Sequence, residues 1–182
     1  MNYKRWIFIA IFLFGVGVAR GLATPADNSL PSEYITAFEE QFSGILALPK
    51  PLIALFIFLK NTSALLISFA LSPIFCLVPA LALIINGWMI AFVSTLVIQE
   101  ESLGFLLAGL LPHGVFELPA LILAQAAALS FGAMVVLALF KKERRNLLLP
   151  SLKQNLRYLA VALALLLPAA IIETYITPLF LA

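Results

Sequence analysis

The sequence predicts an all-α polytopic membrane bundle. It has about five transmembrane helices, a re-entrant half-helix near 103–118 and an external amphipathic helix near 32–47. Three observations carry this. The 182 residues are 63% hydrophobic and only 11% charged, against roughly 45–50% apolar and about 25% charged in soluble domains. Two stretches, Asn61 to Gln99 and Ser102 to Phe140, hold no formal charge except Glu117. Each is about twice the ~20 residues that cross a bilayer core. Basic residues gather at a few sites, Lys4-Arg5 and Lys141 to Arg145 above all. A soluble enzyme, a disordered chain and a nucleic-acid reader are excluded as main readings. The net charge of +2 is too small to point to a partner. One membrane domain, 1–182, is expected. Within it, 1–24 is a first span or uncleaved signal-like helix, 25–60 an external segment and 61–182 the core.

Lys4 and Arg5 precede the apolar run Trp6 to Ala19. A signal peptide begins in the same way, but Arg20 stands where its neutral end is expected, which favours a retained helix. Pro25, Asp27, Asn28, Ser29 and Pro31 then form a polar turn. Tyr34, Ile35, Phe38 and Phe42 share one helical face beside Glu33, Glu39 and Glu40, the pattern of a helix lying on a membrane surface. Residues 49–59, apolar between Lys50 and Lys60, form either an interfacial helix or the start of the second span. Asn61 to Gln99 holds two crossings with Pro73 and Pro79 near the turn. Glu100-Glu101 closes that hairpin on the outside.

The next run is read differently. Two crossings would place Lys141 to Arg145 outside, against the positive-inside tendency. Pro112-His113-Gly114 and Pro119 interrupt the run, and proline removes a helical hydrogen bond. Leu103 to Leu111 is therefore expected to dip in and return, with the full span at Pro119 to Phe140. Tyr158 to about Pro178 is the last span. The N-terminus and the Lys141–Arg145 loop lie inside, in the cytoplasmic membrane of a prokaryote.

Polar groups inside a membrane are costly and need a reason. This topology leaves Asn61, Asn86, His113, Glu117 and Glu173. At about 1.5 Å per residue, Glu117 is ~36 Å from Lys141 and Glu173 ~24 Å from Arg157, both in the outer half. Asn61 opens the second span as a cap. Asn86 lies near mid-depth and bridges spans, with Gly87 letting helices approach. His113 and Glu117, four apart, share a helix face. Gly114 allows a close approach or bend, and Pro119 starts the following helix. The group reads as a structural pin, as a proton- or ion-linked site, or as a zinc site of His113, Glu117 and Glu173. No H-E-x-x-H motif, nucleophile elbow, P-loop or dinucleotide fingerprint is present. The single cysteine, Cys76, forms no internal disulfide.

The segment Leu111-Pro112-His113-Gly114-Val115-Phe116-Glu117-Leu118-Pro119-Ala120 resembles the P-H-G-x-x-E-L-P-A signature of the stage II sporulation protein M family. Leu59-Lys60-Asn61-Thr62, Ile85-Asn86-Gly87, and Ile171-Ile172-Glu173 with Thr177-Pro178 resemble further family segments in the same order. The chain departs from the pattern around Ala70, Ser72 and Ala80, where glycines are usual, and at Gln125-Ala126-Ala127-Ala128. The resemblance implies a multispanning protein of archaea or bacteria. In spore formers the name-giving member works in an envelope-remodelling complex with cell-wall-degrading partners. Most relatives belong to organisms that do not sporulate, so that role is not carried over.

These readings favour a non-enzymatic membrane scaffold or subunit of a cell-envelope complex, acting through other membrane or envelope proteins and through the bilayer. Self-association into a homo-oligomer is compatible with it. No nucleic acid is expected as a partner. No cofactor is expected, zinc at the His/Glu group being the exception weighed. The alternatives are a small ion- or proton-linked transporter subunit and an intramembrane metal-dependent hydrolase.

Overall fold

The computed structural model describes residues 3–25 and 48–181. The amphipathic helix expected near 32–47 lies outside the described residues. The described elements are α1 (Tyr3–Leu22), α2 (Lys50–Ala70), α3 (Leu77–Glu100), α4 (Leu103–Phe140), a 3-10 turn (Lys142–Leu147), α5 (Leu148–Tyr175) and the short α6 (Thr177–Phe180). Five helical stretches among the described residues are long and apolar enough to cross a membrane. Large apolar side chains stand exposed on their outer faces, with Phe8 and Phe12 on α1 72% and 69% open. That surface suits lipid and not water. The chain is an all-α polytopic membrane bundle, as the composition predicts.

Three expectations need correction. The run Leu103–Phe140 is one continuous helix with Pro112 and Pro119 inside it, so no separate re-entrant half-helix exists. Proline frees the carbonyls of Ala108 and Val115 from their usual partners. Membrane helices tolerate this because neighbours and small local adjustments satisfy the freed groups. Secondly, α2 begins at Lys50, with Pro49 before it and proline in its first turn. Asn61 is therefore a mid-helix residue and not a cap. Thirdly, the last span begins well before Tyr158, since α5 starts at Leu148 and continues to Tyr175 around Pro168.

The centre of the bundle is α4. Its buried residues are mostly small: Ala120, Ala124, Ala126, Ala127, Ala128, Ser130, Gly132 and Ala138. Side chains this short let other helix backbones come close, which is how helices associate where lipid removes the hydrophobic driving force. One side of α4 packs with Leu65 and Phe69 of α2 and Leu159, Ala162 and Leu166 of α5. The other packs with Ala10 of α1 and Leu83 of α3. Tyr3 joins the two sides. Its ring stacks on Tyr158 with centroids 3.5 Å apart, and its hydroxyl donates to the Leu123 carbonyl at 2.8 Å.

The tightest helix pair is α1 with α3. A Cβ on Gly17 would strike the Ile84 carbonyl oxygen, one on Gly21 the Trp88 carbonyl oxygen, and one on Gly87 the Phe14 carbonyl oxygen. Gly17 and Gly21 are four apart on α1, the small-xxx-small spacing of close membrane crossings. The close approach expected at Gly87 is thus met, with α1 as its partner. Gly15, two residues before Gly17 and so on the opposite side of α1, has open space where its Cβ would be.

This contrast gives a stability test. Gly87→Ala is expected to destabilise by about 1–3 kcal/mol, the usual cost of overpacking. Gly15→Ala is expected to be neutral or to stabilise by up to ~1 kcal/mol through the ordinary helical preference for alanine. Thermal unfolding of both variants in the same detergent reads the difference; equal midpoints would contradict the tight crossing.

Candidate functional site: a His/Glu group at the junction of four helices

His113 and Glu117 lie one turn apart on α4, so their side chains project from the same face. Glu173 comes from the last turn of α5, and Asn61 from the middle of α2. Thr177 opens α6, which turns back after α5.

The contacts are specific. The Asn61 amide nitrogen donates to Oε1 of Glu117 at 2.9 Å. The other carboxylate oxygen, Oε2, stands 3.9 Å from Nε2 of His113. The remaining ring nitrogen, Nδ1, is 3.4 Å from the Thr177 hydroxyl, a long hydrogen bond. One donor atom from each of His113, Glu117 and Glu173 lies within 4.8 Å of the others. The side chain of His113 is 14% exposed and that of Glu117 34%, so the group is covered without being sealed.

The arrangement leaves a defined set of inward-facing atoms. Asn61 occupies one oxygen of Glu117, and Thr177 occupies one nitrogen of His113. Nε2 of His113 and Oε2 of Glu117 face each other at 3.9 Å, and one ligand atom from each of His113, Glu117 and Glu173 shares a space within 4.8 Å. Such outer partners orient histidine and carboxylate groups in metal sites. One nitrogen and two oxygens form an acceptable set for zinc, with a fourth position left for water. Tetrahedral ligands at zinc bond lengths sit roughly 3.3 Å apart, so the widest present spacing needs a contraction of up to about 1.5 Å.

Of the five polar residues singled out in the sequence, the structure unites four: Asn61, His113, Glu117 and Glu173. Asn86 stands apart. It is exposed, and its amide nitrogen donates to the Ala82 carbonyl of its own helix at 2.7 Å. A polar side chain near mid-helix can satisfy itself one turn back, which depth counting cannot register. Gly114 also does less than expected, since a Cβ there would meet only Leu110 Cγ at 3.9 Å. Pro112 and Pro119 frame the His/Glu turn from inside a continuous helix.

Two features escape the sequence reading. Thr177 was visible only as part of a terminal Thr-Pro pair, with nothing to tie it to His113. Deeper between α2 and α4, the Ser68 hydroxyl donates to Oε1 of buried Gln125 at 2.6 Å. A glutamine within an apolar span is itself a signal, because an unpaired amide there is expensive.

Comparison with known proteins follows this geometry. The family model described as Stage II sporulation protein M matches residues 7–178. A relative in Methanocaldococcus jannaschii, the uncharacterised protein MJ0793, is 28% identical over 173 residues, covering 94% of this chain and 90% of its own length. No solved structure matches.

The Asn61–Glu117 hydrogen bond makes its own prediction. Glu117→Gln retains an oxygen that accepts from Asn61, so its thermal midpoint is expected to stay close to the parent's. Glu117→Ala leaves the Asn61 amide unpaired and is expected to cost about 1–3 kcal/mol. Equal stabilities in a detergent melt would show that this contact does not hold the helices.

Proposed function

The chain belongs to the stage II sporulation protein M family, and we propose that it is a cell-envelope membrane subunit whose His113–Glu117–Glu173 group clasps a divalent, zinc-class cation. The cation would tie α4 to the end of α5 and so fix the bundle surface offered to partner proteins. The observation that carries this reading is the convergence of three donor atoms within 4.8 Å, with Asn61 and Thr177 turning two of the side chains. The scaffold role rests on the family membership and on described residues that are nearly all in helices long and apolar enough to span a membrane. The group would stand toward the outer side, with the N-terminus and the Lys141–Arg145 turn inside, following the positive-inside tendency.

A second reading, ion- or proton-linked transport, is favoured by one observation. Helix α2 and the turn after it carry polar groups beyond the clasp: Ser68 is paired to Gln125, while the buried hydroxyls of Thr62 on α2 and Ser72 in the turn lack a partner. Buried orphans of this kind mark places for water. In this reading Glu117 would exchange its charge as the cargo moves.

The tests separate the two. Purified in detergent and supplied with zinc, the parent is expected to retain about one metal ion per chain, and His113→Ala to lose it while staying folded. A parent that binds no metal overturns the clasp. In proteoliposomes, cation or proton flux that Glu117→Gln abolishes would put transport first; flux equal to that of empty vesicles would leave the scaffold reading in place.

A further inference from the structure

A second site lies away from the His/Glu group, on the lateral surface of the bundle. The C-terminal part of α1 and the middle of α3 enclose a cleft of about 410 Å³ lined by Arg20, Thr24, Ile84, Ile85 and Trp88. Its base is rigid. Gly17 and Gly21 bring the α1 backbone against the backbones of Ile84 and Trp88, so the helices cannot part there without losing their closest packing.

One rim is also fixed. The Trp88 ring nitrogen donates to the Thr24 hydroxyl at 3.0 Å. That hydroxyl in turn donates to the Arg20 carbonyl at 2.8 Å. Trp88 also stacks on Phe92 with centroids 5.3 Å apart. The polar capacity of Trp88 is thereby used internally. Arg20 is exposed, and no acidic side chain among the described residues is found in an ion pair with it.

We infer that this cleft binds an anionic phospholipid, with Arg20 on the headgroup phosphate and an acyl chain along Ile84 and Ile85. Two spanning helices form the walls, so the cleft opens sideways onto the bilayer. There a cation must reach a phosphate or remain poorly solvated. Guanidinium offers a planar fork that matches phosphate oxygens two at a time. The exposed apolar wall at Ile85 accepts a hydrocarbon chain and gives free phosphate nothing. The volume suits a headgroup and the first part of a chain. The inference is independent of the metal clasp, because the two sites share no residue.

The test uses the full chain in a lipid-stripped detergent preparation, titrated with dioleoyl phosphatidylglycerol or dioleoyl phosphatidylcholine and read by native mass spectrometry. The parent is expected to hold phosphatidylglycerol about tenfold more tightly, a difference of about 1.4 kcal/mol. Arg20→Gln is expected to remove that preference with an unchanged lipid-free melting midpoint. Equal preference in parent and variant overturns the site. Competition by inorganic phosphate as effective as that by the lipid overturns the lipid assignment in favour of a free oxyanion. A lowered midpoint in Arg20→Gln with the preference intact assigns Arg20 to an internal pair, with Asp27 or a neighbouring acid, and also overturns it.

Discussion

Everything in this bundle depends on how closely other helices can approach α4. Leucine gains little by leaving lipid for the flank of another helix, so association rests on contact between backbones and short side chains. The run from Ala124 to Ala128 supplies that surface in the middle of the longest helix, and Gly132 continues it. A Cβ on Gly132 would strike the carbonyl oxygen of Ser72. The α2–α3 turn therefore lodges against α4 at a point where only glycine fits. That turn places Phe75 and Cys76 at positive φ, 48° and 59°, an uncommon conformation for residues that carry a side chain. The Cys76 thiol points to the Leu129 carbonyl at 3.5 Å. Close packing on α4 and an unusual turn are two ends of one arrangement.

The polar pairs follow the same geometry. Asn61 meets Glu117 across a separation of 56 residues, and Ser68 meets Gln125 across 57. A nearly constant offset means that α2 and α4 run side by side in the same direction. The two rungs lie about two turns apart, or ~10–12 Å. Between them, Leu65 and the alanines of α4 exclude anything large. Hydrogen bonds of this kind add modestly to membrane stability, but they fix register. Sliding α2 by one turn would break both rungs at once and bury four polar side chains without partners.

Much of this was legible in the sequence, and each failure has a physical cause. Run length and charge placement gave the number of crossings, because a bilayer imposes both a length and a penalty on charge. Counting depth from Lys141 and Arg157 put Glu117 and Glu173 both in the outer half, and the structure brings them together. Pro112 and Pro119 misled because a proline that breaks a helix in water need not do so inside a bundle, where packing holds the helix on both sides. The start of α2 was displaced because the charge-free run begins only after Lys60, whereas the helix begins at Lys50 and carries Lys60 within it. Asn86 misled for a different reason: whether an amide turns outward, inward or back along its own helix is a rotamer choice. The Gly17–Gly21 spacing was readable, but its partner on α3 was not, because spacing names a face and not what lies against it.

The His/Glu group has an electrostatic problem that its surroundings answer only in part. Glu117 and Glu173 are two acids held close together in a half-buried, apolar region, where like charges repel more strongly than in water. Asn61 offers one neutral donor to Glu117, and no such hydrogen bond to Glu173 is found among the described residues. Lys60 lies near enough to Glu173 to attract its charge, and His113, 3.9 Å from Glu117, is a counter-charge when protonated. Beyond these, a shared proton, an ordered water or a bound cation can settle such a pair. A shared proton requires one oxygen to come directly against another, and it gives His113 no role. Water satisfies hydrogen bonds but leaves the charge. A cation satisfies both carboxylates and uses Nε2 of His113, the atom that the Thr177 contact leaves free. The side chains of His113 and Glu117 are already held from behind, so less ordering cost remains at the moment of binding. That preparation is what a fixed clasp needs, and a pair of acids placed only to fill space would not require it.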